Sequence, residues 1–384
     1  MEHYNPIFSK VPTLRFAEFT DEWGKYELSH FVTRITRRNK NNESSLPLTI
    51  SAQYGLVDQI SFFNKTVASV DLSGYYLLYN GDFAYNKSYS NDYAWGAVKR
   101  LDKYEKGCLS SLYFVFRPND NVDSDYLTHY FESSKWHKGI SNIAGEGARN
   151  HGLLNMAVDD YFATKHYLPS LPEQKKIARF FNAITKRIEI QNKIISKYET
   201  LIKGLCDMIF SSIEGNILPL KALASIEKGQ QINGMSLAKT GKYYYLNGGI
   251  APSGYIDDYN TSEETISISE GGNSCGFVSY NLQKFWSGGH CYTLKIMAEQ
   301  CRSKYLFFYL KYKEKDIMQL RVGSGLPNIQ KKSLENFNVK LPNYKKQCFV
   351  ERVFEVVTAK KEIENALLER FQSQKKFLLS KMFI

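Results

Sequence analysis

The side chains in this sequence that could do chemistry are cations and amides gathered in short polar runs. Arg34, Arg37, Arg38 and Lys40 stand beside two asparagines near the start of the chain. Guanidinium and ammonium groups bind phosphate oxygens, and amides can also hydrogen-bond the edges of bases. The run predicts a phosphate-binding strip, and a solvated basic face is the alternative. The formal net charge of +11 is compatible with a polyanionic partner.

A second polar run follows the aromatic stretch SGYYLLYNGDFAY. It carries Asn86, Lys87, Ser88 and Asn91 in what the composition predicts to be a loop. A solvated loop is the ordinary interpretation of such residues. Contact with a base or a phosphate is the functional interpretation.

Glycine pairs mark a third candidate region in the second half of the chain. Gly271 and Gly272 precede Asn273 and Ser274, and Lys284 follows in the same segment. The spacing matches neither GxGxxG nor GxxxxGK[ST], so we expect no nucleotide site. Tight strand turns and a close approach of the backbone to a ligand both explain these glycines.

A glycine-containing turn also occurs twice, each time ahead of a long helical pattern. Arg149 and Asn150 follow Gly145 and Gly147 in the first instance, and Asn328 follows a glycine pair in the second. The turns could simply end strands. Their recurrence in otherwise different surroundings favours a shared binding role.

Catalytic constellations are missing from the sequence. An Asn/Asp-Pro-Pro-aromatic motif is absent, the seven histidines have no acidic partner at a suggestive spacing, and the six cysteines form no CxxC pair. We therefore expect no catalytic residue, metal site or cofactor on this chain. No apolar run approaches the roughly 18 residues of a membrane span, and the N-terminus has no apolar signal region, so we expect a cytoplasmic protein.

The elements that must position these residues are organised by an internal repeat. Residues 168–211 and 341–384 align without a gap at an offset of 173 positions, with identities such as Gln174 with Gln347 and Phe181 with Phe354. A duplicated segment of this length predicts two modules with a common plan.

Apolar residues in the first copy alternate at spacings of four and three, which predicts a coiled-coil helix. The first seam includes Ile177, Phe181, Ile184, Ile188, Ile195 and Ile202. The second includes Val350, Phe354, Val357, Leu368 and Leu378. Lys361, Glu364 and Lys375 interrupt the second seam, and Val353, Ile363 and Leu367 are predicted to widen it.

The rest of the chain is rich in short strand patterns bounded by Gly, Asn, Asp and Ser. We therefore predict an α+β fold in which two strand-rich domains alternate with two long helices. The predicted boundaries are 1–167 for an N-terminal lead and the first domain, 168–215 for the central helix, 216–340 for the second domain and 341–384 for the C-terminal helix.

Several stretches together resemble one known family, the specificity subunits of type I restriction-modification systems. The opening VPTLRFAEFTDEWGKYELSHF and the helix entry LPSLPEQKKIARFF are similar to the family's N-terminal lead and central helix. GDFAYNKSYSNDYAWGAVKR, YYYLNGGIAPSGYIDDYN and EGGNSCGFVSYNLQKFWSGGHCYTL resemble parts of its target recognition domains. The second copy of the repeat departs from the family pattern, with Lys345 and Lys346 where the first has Pro172 and Glu173. We expect the sites at which partner proteins dock on the two helix copies to differ at these positions.

The resemblance implies a non-catalytic subunit that acts on double-stranded DNA through partners. Each recognition domain would read one half of a bipartite target, while an antiparallel helix pair fixes the spacer. Two methyltransferase subunits and two restriction/translocase subunits would dock on the chain. S-adenosylmethionine, ATP and Mg would bind to those partners only. Under this reading the polar runs become DNA contacts, namely Arg34, Arg37, Arg38, Lys40, Asn86, Lys87, Ser88, Asn91, Arg149, Asn150, Gly272, Asn273, Ser274, Lys284 and Asn328.

Two other classes of function stay open from the sequence. A coiled-coil adaptor whose strand-rich modules bind protein or glycan would show the same heptad seam. A self-sufficient methyltransferase or nuclease would need a cofactor or metal site that the sequence does not offer. Salt-sensitive binding to duplex DNA separates the first alternative from the leading interpretation.

Overall fold

The computed structural model describes residues 10–90, 93–144, 152–234, 237–323, 325 and 327–384. These residues form two compact units. The first contains the described residues up to Gln191 together with Leu367–Ile384, and the second is Asn192–Ala366. Each long helix therefore contributes one half to each unit. None of the helices in the described ranges has the length and apolarity needed to cross a membrane.

The first unit has a strand-rich module followed by the first long helix. Its described strands are Gly24–Glu27 (β1), Val32–Arg34 (β2), Leu48–Ser51 (β3), Gly55–Asp58 (β4), Tyr76–Tyr79 (β5), Phe83–Asn86 (β6), Ala97–Arg100 (β7), Lys106–Leu109 (β8), Phe114–Pro118 (β9) and Lys165–Leu168 (β10). Its described α-helices are Leu28–Phe31 (α1), Gln59–Phe63 (α2), Ser124–Glu132 (α3), His137–Ile143 (α4), Val158–Phe162 (α5) and the long helix Leu171–Ser212 (α6), which continues into the second unit.

The central sheet of this module has the order β2-β9-β6-β7, and every neighbouring pair is antiparallel. Side chains on a strand alternate between the two faces. Phe83 and Phe116 therefore enter a core shared with α3 and the long helices, whereas Ala84 and Val115 enter a second cluster with residues of the antiparallel pairs β3-β4 and β5-β8. Both faces of the two central strands are thus buried, which explains the apolar runs in β6 and β9.

The second unit repeats this plan with different residues. Its described strands are Asn216–Pro219 (β11), Ala224–Lys228 (β12), Tyr243–Leu246 (β13), Gly254–Ile256 (β14), Thr265–Ser269 (β15), Val278–Asn281 (β16), Trp286–Ser287 (β17), Cys291–Ile296 (β18), Arg321–Val322 (β19), Asn328–Ile329 (β20) and Asn338–Leu341 (β21). Its described α-helices are Ser303–Tyr312 (α7), Glu314–Met318 (α8), Lys331–Glu335 (α9) and the long helix Tyr344–Met382 (α10), which ends in the first unit.

The central sheet of the second module has the order β12-β18-β15-β16, again wholly antiparallel. Strand for strand this is the order of the first module. The hairpin glycines also correspond, because Gly96 and Gly276 precede β7 and β16 and both have positive φ. A Cβ at Gly96 would lie 2.1 Å from the carbonyl oxygen of Asn86, so only glycine fits that turn. The predicted α+β architecture with two strand-rich modules and two long helices is confirmed.

Within each unit the two long helices run antiparallel. In the first unit, the ring centroids of Phe181 and Phe383 are 5.7 Å apart, and Lys375 Nζ donates to Thr185 Oγ1 at 2.8 Å. In the second unit, Lys361 pairs with Glu199 at 3.1 Å. Two of the polar interruptions of the second seam, Lys375 and Lys361, are therefore paired.

The predicted seam residues all lie buried or half-buried, from Ile177 to Ile202 on α6 and from Val350 to Leu378 on α10. One residue predicted to widen the second seam is wrongly placed. Ile363 is 66% exposed and faces solvent within its unit. Glu364, not Ile363, is in register with the seam residues Val350 and Val357. Consecutive residues point about 100° apart on a helix, so the Ile363 side chain lies off the seam face.

The first copy of the helix repeat is also anchored to the N-terminal lead. The buried Glu173 carboxylate accepts hydrogen bonds from Arg15 at 2.8 and 2.7 Å and from the Trp23 indole at 3.3 Å. At the corresponding place in the second unit, Lys346 is exposed and lies 3.5 Å from Glu214. Glu173 in the first copy thus differs from Lys346 in the second because the N-terminal lead packs on the first copy and bonds to Glu173.

Candidate nucleic-acid interface

The loop that follows strand β6 is tied to the segment that begins at Gly152. Leu154 N donates to the carbonyl oxygen of Lys87 at 3.0 Å, and Tyr89 N donates to that of Gly152 at 3.1 Å. Ser88 forms the β-bridge between these two bonds, opposite Leu153. Three of the predicted contact residues (Asn91, Arg149 and Asn150) lie outside the described residues. Asn86 and Lys87 flank the strand end, and Ser88 is exposed there.

Lys87 is the cation at this strand end. Its ammonium lies 4.6 Å from the ring centroid of Phe114, and burial lowers its pKa below the ordinary lysine value. No carboxylate in the described part of the module forms an ion pair with it. Asn86 has a different role, because its Oδ1 accepts a hydrogen bond from Ser88 N at 2.9 Å and so holds the turn.

The second module has the same strand-end geometry after β15. Ile329 N donates to the carbonyl oxygen of Glu270 at 2.8 Å, and Gly272 N donates to that of Pro327 at 3.0 Å. Gly271 forms the bridge between them, opposite Asn328. The hydrogen-bond pattern therefore makes Glu270 the counterpart of Lys87. Strand pairing makes Tyr292 the counterpart of Phe114, since Tyr85 pairs with Phe114 and Ile268 with Tyr292.

The same position thus carries opposite charges in the two modules. Glu270 Oε1 accepts from Lys228 Nζ at 2.6 Å and from the Tyr292 hydroxyl at 3.0 Å. Its other oxygen, Oε2, is buried, has no hydrogen bond among the described residues and lies 3.6 Å from His290 Nδ1. Burial and the Glu270 carboxylate raise the pKa of Tyr292. Glu270 therefore holds an exposed cation, Lys228, and lies beside the exposed His290 ring at the rim of the strand end.

Three other predicted residues share this strand end. Gly272 has a φ of +75° with open space at its Cα, Asn273 is exposed, and the carbonyl oxygen of Ser274 accepts from Phe277 N at 2.9 Å. Lys284 lies apart from them. Its ammonium is 3.3 Å from the hydroxyl of Tyr259 and 4.6 Å from that ring's centroid.

An open groove of about 620 Å³ adjoins the second strand end, and the sequence reasoning missed it. Its polar lining includes Gln231, Lys239 and Asn247. Asn247 Oδ1 accepts from His290 N at 3.0 Å, which links the groove to the strand end. The amides and the lysine belong to the side-chain classes that hydrogen-bond base edges and phosphates.

The four cationic side chains of the predicted phosphate strip have different environments and different contacts. Arg34 is exposed, and its Nη1 lies 3.8 Å from Asp159. Arg38 donates to the carbonyl oxygen of Gly74 at 2.8 Å and stacks over the Tyr76 ring. Lys40 is exposed in a short 3₁₀ turn at Lys40–Asn42. Their contact with DNA stays a prediction.

Arg37, the remaining member of the strip, belongs to a charge cluster at the opposite end of β6. Its Nη2 donates to Asp82 Oδ2 at 2.9 Å, and its Nε donates to the carbonyl oxygen of Leu77. Arg117 Nε donates to Asp82 Oδ1 at 2.6 Å. The Asp82 side chain is fully buried. No local sequence pattern predicts this cluster, because its members come from three separate strands or turns.

The structure contains no group of three or more His, Cys, Asp or Glu side chains placed to hold a metal ion, within the residues it describes. The arrangement offers donors, cations and amides on two strand ends. Such an arrangement can bind a polyanion and discriminate among hydrogen-bonding partners.

Comparison with known proteins gives a consistent set of similarities. Residues 216–372 match the family model of the type I restriction modification DNA specificity domain. A 123-residue stretch is 34% identical to a protein of Mycoplasma pneumoniae described as a type I specificity subunit, and covers 32% of this chain and 32% of that relative. A 129-residue stretch is 30% identical to a protein of Mycoplasma genitalium with the same description, and covers 33% of each. The matched stretches thus span about a third of the length of these two relatives.

The fold is similar to that of a solved structure over nearly the whole chain. The crystal structure of a type I restriction-modification S subunit from Mycoplasma genitalium superposes with a TM-score of 0.64 at 18% identity. The superposition covers 97% of this chain and 99% of the other. At this level of identity the similarity concerns the fold.

Proposed function

We propose that the chain is a specificity subunit of a type I restriction-modification system and that its two modules each read one half of a bipartite DNA target, as supported by the family-model match over residues 216–372 and by the similar relatives and fold. One observation carries the proposal. Two modules with the same strand order hold chemically opposite groups, Lys87 and Glu270, at the same strand end. A common frame with different contact chemistry suits two different half-sites.

The strand ends supply the contact chemistry that a half-site requires. Asn328, Asn273 and Ser88 are exposed and can hydrogen-bond base edges or phosphates. Lys87 and Lys228 supply positive charge beside them, and His290 adds an exposed imidazole. Phosphate contacts would fix the position of each module on DNA, while base contacts would set its sequence preference.

The helix pair is proposed to set the spacer between the half-sites. Each long helix is continuous, over 42 residues in α6 and 39 in α10. A continuous helix fixes length in a way that a flexible linker does not. A spacer of defined length follows from that stiffness.

The same helices are proposed to dock the methyltransferase and restriction subunits. On α10 within the second unit, Phe349, Val356 and Ile363 recur every seven residues and are 62%, 51% and 66% exposed. Residues seven apart lie on one face of a helix, so these side chains form a single apolar stripe. An exposed apolar stripe on a helix is typical of a surface that packs against a partner helix.

Catalysis is proposed to belong to those partners, two methyltransferase and two restriction subunits. S-adenosylmethionine, ATP and Mg would bind to them, and this chain would supply position and specificity. The chain's contribution to the reaction is then the choice of adenine that the methyltransferase reaches.

The decisive experiment compares the methylated DNA motifs of the host with and without the gene for this chain. We expect the deletion to remove one bipartite motif with a methylated adenine in each half, and reintroduction of the gene to restore it. Loss of a continuous motif, or no change at all, would contradict the proposal. Weak, salt-independent DNA binding by the complex would instead favour an adaptor for protein or glycan.

A further inference from the structure

A buried carboxylate in the first module holds two arginines side by side. Asp82 immediately precedes β6, and its side chain is wholly inaccessible to solvent. It accepts hydrogen bonds from Arg37, from Arg117 and from the backbone of Tyr79 at 2.8 Å. Both carboxylate oxygens are therefore satisfied, and one negative charge faces two positive charges.

The two guanidinium groups retain unused donors. Arg37 uses Nε and Nη2, and Arg117 uses only Nε. The remaining nitrogens, Nη1 of Arg37 and both Nη1 and Nη2 of Arg117, have no hydrogen-bond partner among the described residues. The side chains are 35% and 47% exposed. The free donors thus lie at the surface, while the bonded ones are fixed by Asp82.

Both arginines line an open groove of about 490 Å³. Thr33, Asn119 and Asp120 complete its polar lining. A second groove of about 410 Å³ also contains Arg117 and reaches Lys175 near the start of α6. Arg117 is therefore shared by two adjoining depressions on the same face of the first unit.

We propose that Arg37 and Arg117 form a built phosphate site that grips the sugar–phosphate backbone of the half-site read by the first module. Asp82 is the positioning residue, since it fixes both guanidinium groups without reaching the surface. Planar guanidinium groups with free paired N–H donors match the geometry of phosphate oxygens. The proposal rests on the proposed function and adds the residues that hold one phosphodiester.

The site has no counterpart in the second module. The strand pairings make Phe116 and Arg34 of the first sheet equivalent to Leu294 and Ile226 of the second. By this register, the places of Asp82, Arg117 and Arg37 fall to Thr265, Lys295 and Gly229 in the second module. The carboxylate and both arginines are missing there, with Lys295 as the one cation that remains, so the second module must place its phosphate contacts elsewhere.

Two acidic side chains near the arginines determine how each charge substitution should affect DNA binding. Asp82 neutralises one arginine, and Asp120 is exposed in the groove beside Arg117. An approaching phosphate would be attracted by Arg117 and repelled by Asp120. Removal of these two charges should therefore shift DNA binding in opposite directions.

The test measures duplex binding by the chain assembled with its methyltransferase subunits over a series of salt concentrations. For Arg117→Gln we expect binding to weaken about tenfold at constant salt, since charge-assisted hydrogen bonds contribute on this scale. The slope of log affinity against log salt should fall by about one, equally on the target and on an unrelated duplex. Arg117→Lys should recover the slope in part, and Asp120→Asn should tighten binding.

Lys65→Gln is the matched control, because it removes one exposed positive charge from the same module outside the groove. It should leave the salt slope unchanged. If wild type shows a steep slope that Arg117→Gln and Asp120→Asn both retain, the arginine site is wrong while the proposed function stands. If wild type itself shows no salt-dependent duplex binding, the proposed function fails. A change in the methylated motif with Arg117→Gln would also overturn the phosphate assignment.

Discussion

Gln174 and Gln347 are buried side chains 173 positions apart that make the same hydrogen bonds in different units. Each Nε2 donates to the carbonyl oxygen of the proline five residues earlier, at 2.9 Å in both cases. Each Oε1 accepts from the backbone N–H of the N-cap residue of a helix in the same module, Asp123 of α3 at 2.8 Å or Arg302 of α7 at 2.9 Å. The repeat therefore preserves a joint between each long helix and its module.

This joint predicts a matched loss of stability on substitution. Gln174→Ala or Gln347→Ala would leave buried N–H and C=O groups unsatisfied, at a cost of about 1–3 kcal/mol. Urea unfolding should show a lower midpoint for both variants. Gln283→Ala, at an exposed position, is the control and should match wild type. Equal midpoints for all three proteins would show that water replaces these bonds at no cost.

Exchange of the strand-end charge should alter one half-site only. Lys87→Glu combined with Phe114→Tyr gives the first module the pair that Glu270 and Tyr292 form in the second. We expect the methylated motif to change in one half and to stay constant in the other, because only one set of contacts has changed. Sequencing of methylated adenines measures both halves at once.

Phe114→Tyr alone is the control for this exchange, since it keeps the ring under Lys87 and should keep the motif. Changes in both halves, or an unchanged motif with retained methylation, would remove the strand end from the set of specificity determinants.

A buried histidine predicts a pH window of stability. His166 is 3% exposed, and one ring nitrogen lies 2.7 Å from the Tyr130 hydroxyl. Burial lowers the pKa of His166 to about 4 from the ordinary 6.5. Below pH 6.5 the unfolded chain binds a proton that the folded chain resists, so this contribution is present above pH 6.5 and lost as the pH falls towards 4.

The loss amounts to about 3 kcal/mol across that window. Urea unfolding of wild type and His166→Gln between pH 7 and pH 4.5 measures it, and the difference between the two proteins should shrink as the pH falls. A constant difference would mean that His166 does not titrate in this range.

The exposed stripe on α10 predicts a defect in assembly without a defect in folding. Ile363→Ser should change the unfolding free energy by less than about 0.5 kcal/mol, because the side chain already contacts water. It should nevertheless reduce the methyltransferase recovered with the chain on co-purification. Ile217→Ser replaces an equally exposed isoleucine off the helix and is the control. Normal recovery for Ile363→Ser together with Val356→Ser would exclude this stripe as the docking surface.

The sequence predicted the long helices and the two-module plan because these depend on local periodicity. A heptad pattern over nearly five heptads and a gap-free repeat are visible without tertiary information. The pattern failed for Ile363, since a second apolar stripe with the same period lies one residue away from the seam. Periodicity alone does not tell a buried stripe from an exposed one.

The strand-end and Asp82 sites were largely beyond sequence reasoning for a different physical reason. Leu154 meets Lys87, and Arg117 meets Asp82, only after the sheet has brought distant segments together. Such contacts leave no spacing rule in the chain. Polar composition identified Lys87 and Arg37 as candidates, but their partners depend on the register of antiparallel strands.

The packing of Phe383 has a consequence for biosynthesis. This residue lies in the core of the first unit against Phe181 and Tyr126, and Leu14 N donates to the carbonyl oxygen of Lys381. During translation, residues 367–384 leave the ribosome after the whole second unit. The second unit is continuous in the chain and can close as it emerges, whereas the first must wait for its last helical segment. The usual order of vectorial folding, with the N-terminal unit first, is thereby reversed.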